Sequence, residues 1–323
     1  MKTDLIGNLH ITTPLTRAVR EGRTAGAYLI EGPSGSGKKT LASVLCALFL
    51  CSDVSEDGAC GVCRDCENLA VGSHPDLFVF TPEKDREFIS VDTVRRANEA
   101  AQTAPIHAAR RVFLIPDVAK LNASAQNALL KNLEEPSRTT VYLLLCEEAA
   151  GVLATIRSRC VIFRTELFSI ESLTEELGRR FKGEDPSTLT LAARLSGGAL
   201  GQAIAFLSDK KMEKCRKLAY DYLSLVRKGA GFDALSCVLS ADVKKEILPL
   251  FYRVLLSGVR DLLLNDKSEQ RQFFAPEEPL SHTVSDKTLL ALCDRLLDLT
   301  DPSMANANVA ASVYSLNSVA SGV

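Results

Sequence analysis

Residues 32–40 read Gly32-Pro33-Ser34-Gly35-Ser36-Gly37-Lys38-Lys39-Thr40, and the meaning of this stretch decides the fold. The pattern G-x-x-x-x-G-K-[ST] of a phosphate-binding loop is met from Gly32 through Lys38 and then fails. Lys39 stands where a hydroxyl should ligate magnesium, and a lysine, itself a cation, cannot coordinate one. Taking Lys39-Thr40 as the Lys-Thr pair would need glycines at Pro33 and Lys38, so the first register stands. Its flanks suit it. Residues 27–31 (AYLIE) predict a short buried strand, and Leu41, Val44, Leu45, Leu48 and Phe49 recur at helical spacing. Strand, glycine loop and helix are the setting such a loop needs, because helix-start amides point at the phosphates. Gly32, Gly35, Gly37 and Lys38 are the candidate phosphate-contacting residues, with a ligand-free glycine turn as the alternative.

Working outward, residues 76–80 predict a second strand, residues 91–102 a helix carrying Arg95 and Arg96, and residues 112–115 an apolar third strand. A helix follows, with Asn122 as N-cap and Pro136 ending it. Residues 141–145 and 161–163 predict two more strands. Alternating strands and helices imply a parallel α/β sheet. In a phosphate-loop ATPase the third strand ends in acids that hold magnesium and polarise water. Here it ends Ile115-Pro116-Asp117, so a second magnesium position is lost at Pro116. Two losses in one coordination sphere point to a site that does not hydrolyse.

Cys51, Cys60, Cys63 and Cys66 have the spacing C-x8-C-x2-C-x2-C, with Gly58 and Gly61 at the turns. Four thiolates in short turns are what structural zinc requires, and the polar loop between Cys51 and Cys60 is not expected to order itself by burial, an ordering a metal would supply. Four cysteines close the shell, so a catalytic zinc is not expected. The remaining six of the ten cysteines sit in apolar or isolated contexts and read as small core residues.

The bulk numbers set limits. A chain of 323 residues implies two or three domains. Hydrophobic content of 46% and charged content of 24% are ordinary for a globular protein. The first residues lack a secretory apolar core, and the longest apolar run, residues 41–51, is too short to span a bilayer, so no membrane role and a cytoplasmic location are expected. A net charge of −2 argues against a general nucleic-acid coat. Residues 103–111, with Arg95 and Arg96, offer a weak local basic track that could touch DNA phosphates. No tryptophan and no aromatic-rich basic stripe suggests base stacking. The four histidines are scattered and none is given chemistry. Beyond residue 210 the pattern is helical. Ile247, Leu250, Phe251, Val254 and Leu255 form one apolar face, and Leu289, Leu290, Leu292, Leu296 and Leu297 another. Residues 270–283 read as a loop.

Several segments together carry a resemblance. Asn127-Ala128-Leu129-Leu130-Lys131-Asn132-Leu133-Glu134-Glu135-Pro136 is close to the NALLKTLEEP segment of clamp-loader ATPases. Thr155-Ile156-Arg157-Ser158-Arg159-Cys160 matches their TIRSRC segment. The cysteine spacing after the first loop helix matches too, as do residues 195–203 (LSGGALGQA) and Asn306-Ala307-Asn308. The chain resembles the clamp-loader branch of the AAA+ ATPases over its whole length, and within it the delta-prime class. That resemblance implies an AAA+ P-loop sheet domain at 1–165 with an inserted zinc knuckle at 51–66, a helical lid at 166–209, and an all-helical collar at 210–323 for oligomerisation. It implies partners: delta and gamma/tau subunits in a heteropentamer, the sliding clamp, and primed DNA. It also implies that Arg159 is an arginine finger serving a neighbour's ATP, as a guanidinium suits charge on a transferring phosphoryl group. Gln202 occupies the place where family ATPases commonly carry a sensing arginine. ATP or ADP in the chain's own loop stays open. Two alternatives also stay open: an active gamma/tau-type ATPase, and a zinc-stapled, non-enzymatic binding module on an ATPase-like fold.

Overall fold

In a computed structural model, residues 5–83, 86, 88–241, 247–264, 271, 273–274, 280–300 and 308–320 are described. The chain packs as two compact units, residues 1–168 with 199–201, and residues 169–198 with 202–323.

The first unit opens with α1 (Leu9–Arg20), then β1 (Ala27–Glu31) and α2 (Lys38–Leu50). A two-stranded antiparallel hairpin follows, β2 (Val54–Ser55) and β3 (Gly58–Ala59), and then α3 (Arg64–Ala70). The remainder alternates: β4 (Leu77–Val79), α4 (Val91–Ala101), β5 (Arg111–Ile115), α5 (Ala123–Glu134), β6 (Thr140–Cys146), α6 (Ala154–Arg157) and β7 (Val161–Arg164). The five long-range strands form one parallel sheet in the order β4-β5-β6-β1-β7. All five strands predicted from the sequence are present, each within two residues of its expected ends. Asn122 is the N-cap of α5, its side chain accepting the Ala125 amide at 2.9 Å.

Strand alternation divides the core. Ala27 and Leu29, Phe113 and Ile115, and Tyr142 and Leu144 face α4 and α5 on one side. Tyr28 and Ile30, Val112, and Val141, Leu143 and Leu145 face α1 and α2 on the other. Each fully buried aliphatic side chain there contributes about 1.5–3 kcal/mol, so both faces must be covered for the sheet to stand. Because β1 is an interior strand between β6 and β7, the turn after it opens at the carboxyl edge of the sheet, where ligands bind in open α/β sheets.

The second unit is helical among the described residues: α7 (Ile170–Arg180), α8 (Pro186–Leu195), α9 (Leu200–Leu207, whose first two residues count with the first unit), α10 (Lys211–Arg227), α11 (Gly231–Ser240), α12 (Leu248–Leu264), α13 (Asp286–Thr300) and α14 (Val309–Ala320). Phe251, Val254 and Leu255 are fully buried, as the periodicity predicts. Gly258 lets α12 approach α10 closely: a Cβ there would lie 2.3 Å from Leu223 Cδ1. On α13, Leu289, Leu292 and Leu296 are buried, but Leu290 and Leu297 are 56% and 55% exposed, so the expected single apolar face is really two. Within the loop expected at 270–283, residues 271, 273–274 and 280–283 are described and none is in a helix or strand; the Asn306 position lies outside the described residues. Asn308 caps α14, its side chain accepting the Ala310 amide at 2.9 Å. Among the described residues no helix is long and apolar enough to cross a membrane.

Candidate functional site

The phosphate loop is built as its glycines dictate. Gly35 and Gly37 have φ of 76° and 88°, a region open to glycine at little cost. At Gly32 the constraint is closeness: a Cβ would fall 1.9 Å from Thr165 Oγ1 and 2.8 Å from Ser36 Oγ. Thr165, just past β7, donates to Ser36 Oγ at 2.9 Å, so the end of the sheet clamps the loop. Residues 199–201 pack with this unit, the Gly201 amide donating to Gly35 O at 2.8 Å.

Lys38 turns back into its own loop. Its Nζ donates to Gly32 O at 2.5 Å and to Pro33 O at 2.9 Å. Burial pulls its pKa down, Glu147, Cys146 and Asp117 push it back up, and Lys39 lowers it further. Lys39 and Thr40 are exposed at the start of α2. Asp117, left beside Pro116, is occupied as a cap: its Oδ1 accepts the Ala119 amide at 3.0 Å. The loop keeps its cradle, then, while the two positions that should hold magnesium carry an ammonium and a proline. Gln202 lies in the second unit.

The four cysteines converge. Their sulfurs all lie within 4.8 Å of one another. Cys51 Sγ is 3.6 Å from Cys60 Sγ and 3.9 Å from Cys63 Sγ. A tetrahedral zinc with bonds of about 2.3 Å spaces its sulfurs about 3.8 Å apart, so the set fits that ion. Cys51 follows α2 directly, Cys60 follows β3, and Cys63 and Cys66 begin α3. Amides of Asp53 and Cys60 donate to Cys51 Sγ, and that of Cys63 to Cys60 Sγ, each at 3.3 Å. Such N–H···S contacts orient thiolate ligands.

The knuckle is fastened to the sheet by residues that sequence reasoning passed over. Asp65, beside Cys66, accepts from His74 Nε2 at 3.3 Å. His74 Nδ1 accepts the Asp76 amide at 3.0 Å, which fixes the ring proton on Nε2. Asp76 is fully buried, and its carboxylate accepts the amides of Ile106, His107 and Ala108 at 2.7, 2.7 and 3.0 Å. Burial pushes this carboxyl up, but the three amides and Arg111 outweigh it and its pKa falls. Arg111 is 3% exposed, 3.6 Å from Asp76, and donates to carbonyls of Ala100, Thr103 and Ala104. It is therefore withdrawn from the expected basic track. Arg95 and Arg96 stay at the surface, paired with Asp92 and Glu83.

Arg159 lies between α6 and β7. Its Nη1 donates to Thr155 O at 2.8 Å and its Nη2 to Glu134 Oε1 at 2.7 Å. Burial pushes the neighbouring Cys160 thiol up to about 12, which disfavours the thiolate that a nucleophile needs.

The profile of the family described as DNA polymerase III, delta subunit, matches residues 7–168. The DNA polymerase III subunit delta' of Pseudomonas aeruginosa is 42% identical over 176 residues, 54% of this chain and 53% of that protein. The delta' subunit of Escherichia coli is 32% identical over 214 residues, 64% of this chain and 63% of that protein. The gamma/tau subunit of Mycobacterium tuberculosis is 28% identical over 307 residues, 86% of this chain and 52% of that protein. The chain thus spans between about half and under two thirds of the length of these relatives.

Proposed function

The chain belongs to the family of DNA polymerase III delta subunits, as a delta-prime member, and on that premise we propose that it is a non-hydrolysing clamp-loader subunit that lends Arg159 to a neighbour's ATP. The assembly it serves contains delta and gamma/tau subunits, opens the sliding clamp and sets it on primed DNA. On this reading the chain has three domains: the sheet domain at 1–165, a lid at 166–209 and an oligomerising collar at 210–323.

The observation that carries the reading is the chain's own magnesium site. Lys39 and Pro116 replace both ligands, and Lys38 is bonded to its own loop carbonyls. This disfavours a hydrolysing gamma/tau role. Phosphates can still meet the amides at the start of α2, so ATP or ADP binding without turnover is compatible with the loop. Cys51, Cys60, Cys63 and Cys66 would hold one zinc ion, with no position left for water or substrate, so its part is structural.

Arg159→Ala in an assembly reconstituted with delta and gamma/tau tests the reading. Turnover at the neighbouring site should fall by about 10³, the usual lower worth of an arginine finger, with the complex still eluting intact. Unchanged hydrolysis and clamp loading would overturn it.

A further inference from the structure

Arg159 is held by its own chain more closely than the finger reading requires. The turn after α6 sets the base of the side chain. The Ser158 amide closes on Ala154 O at 3.0 Å, the Arg159 amide on Ile156 O at 3.0 Å and the Cys160 amide on Arg157 O at 3.3 Å. Thr155 O is passed over by these amides and goes to side chains. It accepts Arg159 Nη1 at 2.8 Å and the Ser158 hydroxyl at 3.1 Å. The Ser158 oxygen in turn accepts Nη1 at 3.3 Å. One residue further on, Cys160 packs against the core beneath α4 and α5. The backbone is thus fixed on both sides of Arg159.

The third hold comes from a different element. Glu134 is the last residue of α5, and its Oε1 accepts Arg159 Nη2 at 2.7 Å. A carboxylate gains nothing from the carboxyl end of its own helix, where the open carbonyls already carry negative charge. A second acid, Glu135, follows directly. The position is therefore unfavourable for Glu134 in its own helix, and what it gains there is the guanidinium. Among the described residues Arg159 is the cation with which it pairs.

The arrangement leaves one part of the fork open. A guanidinium carries five N–H groups in a fixed plane. Both of those on Nη1 are taken, by Thr155 O and Ser158 Oγ, and one on Nη2 is taken by Glu134. The Nε–H and the other Nη2 hydrogen have no acceptor among the described residues. Nε and Nη2 form one edge of the fork, and an edge of this kind takes two oxygens of one phosphoryl group. The side chain is 32% exposed, so that edge is open to a ligand from outside the chain.

We propose that Glu134 is a positioning residue for Arg159, fixing the plane of the guanidinium so that its Nε–Nη2 edge is presented to the terminal phosphate of the neighbour's ATP. The inference rests on the reading of Arg159 as a finger in trans and adds the residue that aims it. An unrestrained arginine loses rotamer freedom when it meets the phosphate; one already held by three acceptors has lost it beforehand. Donors fixed in advance stabilise a transferring phosphoryl group without reorganising as charge develops.

The test uses the assembly reconstituted with delta and gamma/tau. ATP turnover at the site next to this chain is followed from limiting to saturating ATP in the parent, Arg159→Ala, Glu134→Ala, Glu134→Gln and the double variant Glu134→Ala with Arg159→Ala. Glu134→Ala should lower kcat about tenfold with KM for ATP unchanged, short of the ~10²-fold that a full ångström of misplacement can cost. Glu134→Gln should recover most of the loss, because an amide oxygen still accepts from Nη2. In the Arg159→Ala background Glu134→Ala should cost nothing further, as for residues that act as a unit; a merely structural role would slow both backgrounds alike. A kcat unchanged or raised in Glu134→Ala, a loss carried by KM alone, or an equal loss in both backgrounds, each beside a slowed Arg159→Ala, overturns the role of Glu134 and leaves the finger standing. Turnover unchanged in Arg159→Ala overturns both.

Discussion

Arg159 and Glu134 are bound to each other, Nη2 donating to Oε1 at 2.7 Å, although 25 residues separate them. The side chains are 32% and 50% exposed. Glu134 ends α5 in the segment resembling NALLKTLEEP, and Arg159 stands in the one resembling TIRSRC. The two family-like segments therefore meet at one ion pair. An exposed pair of this kind is worth about 0–1 kcal/mol. Glu134→Gln should thus leave the melting temperature of the isolated chain within about 2–4 °C of the parent, the shift that 1 kcal/mol produces in a domain of this size. Differential scanning calorimetry checks this. A larger drop would mean that the pair holds the fold together and does not simply park the guanidinium.

The cysteine cluster should hold one metal ion per chain, counted by elemental analysis. Chelation, or Cys60→Ser, should lower the unfolding midpoint and expose the knuckle to protease between residues 51 and 66. Structural zinc contributes directly to folding free energy, so the effect should be reversed by adding zinc to the chelated chain but not to the variant. Full metal-free stability would show that the thiols are mere neighbours.

Asp76→Ala should be among the costliest single changes. It leaves the buried Arg111 without its carboxylate partner and strips three half-buried amides of their acceptor. Removing one member of a buried pair costs about 3–5 kcal/mol. Urea denaturation measures the loss, and a value below about 1 kcal/mol, as at ordinary surface sites, would contradict the burial argument.

Asp185 supplies a pH test. It caps α8 through the Thr188 amide and is paired with Arg216 at 2.9 Å. The Ser187 hydroxyl lowers its carboxyl most, burial opposes this, and Arg216 and Thr188 add to the lowering, which brings it to about 2 from 3.8. A depressed folded value adds stability above the unfolded value and loses it as pH falls through the folded one. Asp185→Asn keeps a good cap and removes the charge. At pH 7 it should cost about 1 kcal/mol or less, since the Asp185 side chain is 57% exposed and solvent screens the pair. The gap to the parent should close between about pH 4 and pH 2, following the two values. A gap independent of pH would refute the charge argument.

Local signals made much of this molecule legible. The loop at 32–38 fixed the strand before it and the helix after it, because glycine geometry and helix amides are near-neighbour effects. The cysteine spacing led directly to the converged sulfurs for the same reason. What stayed hidden depended on contacts distant in sequence. Thr165 clamps Ser36 from 129 residues away, and nothing around Thr165 marks it. Arg111 looked like surface charge at the end of a basic stretch, yet its partner Asp76 lies 35 positions earlier and draws it inside. His74 looked idle because its ring joins Asp65, nine positions earlier, to the Asp76 amide, a link that no local pattern marks. Leu290 and Leu297 kept the helical period while pointing away from the core, which periodicity alone cannot tell.

The sheet order has a consequence for the time course of synthesis. β1 lies between β6 and β7, its Tyr28 paired with Leu143 on one side and Val161 on the other. The loop after β1 is therefore translated early and cannot be seated until residues 140–164 have left the ribosome. The cysteine cluster closes within its own 51–66 segment and needs none of those later strands. During that interval the apolar β1 and α2 have only α1 and the 51–66 segment available to cover them.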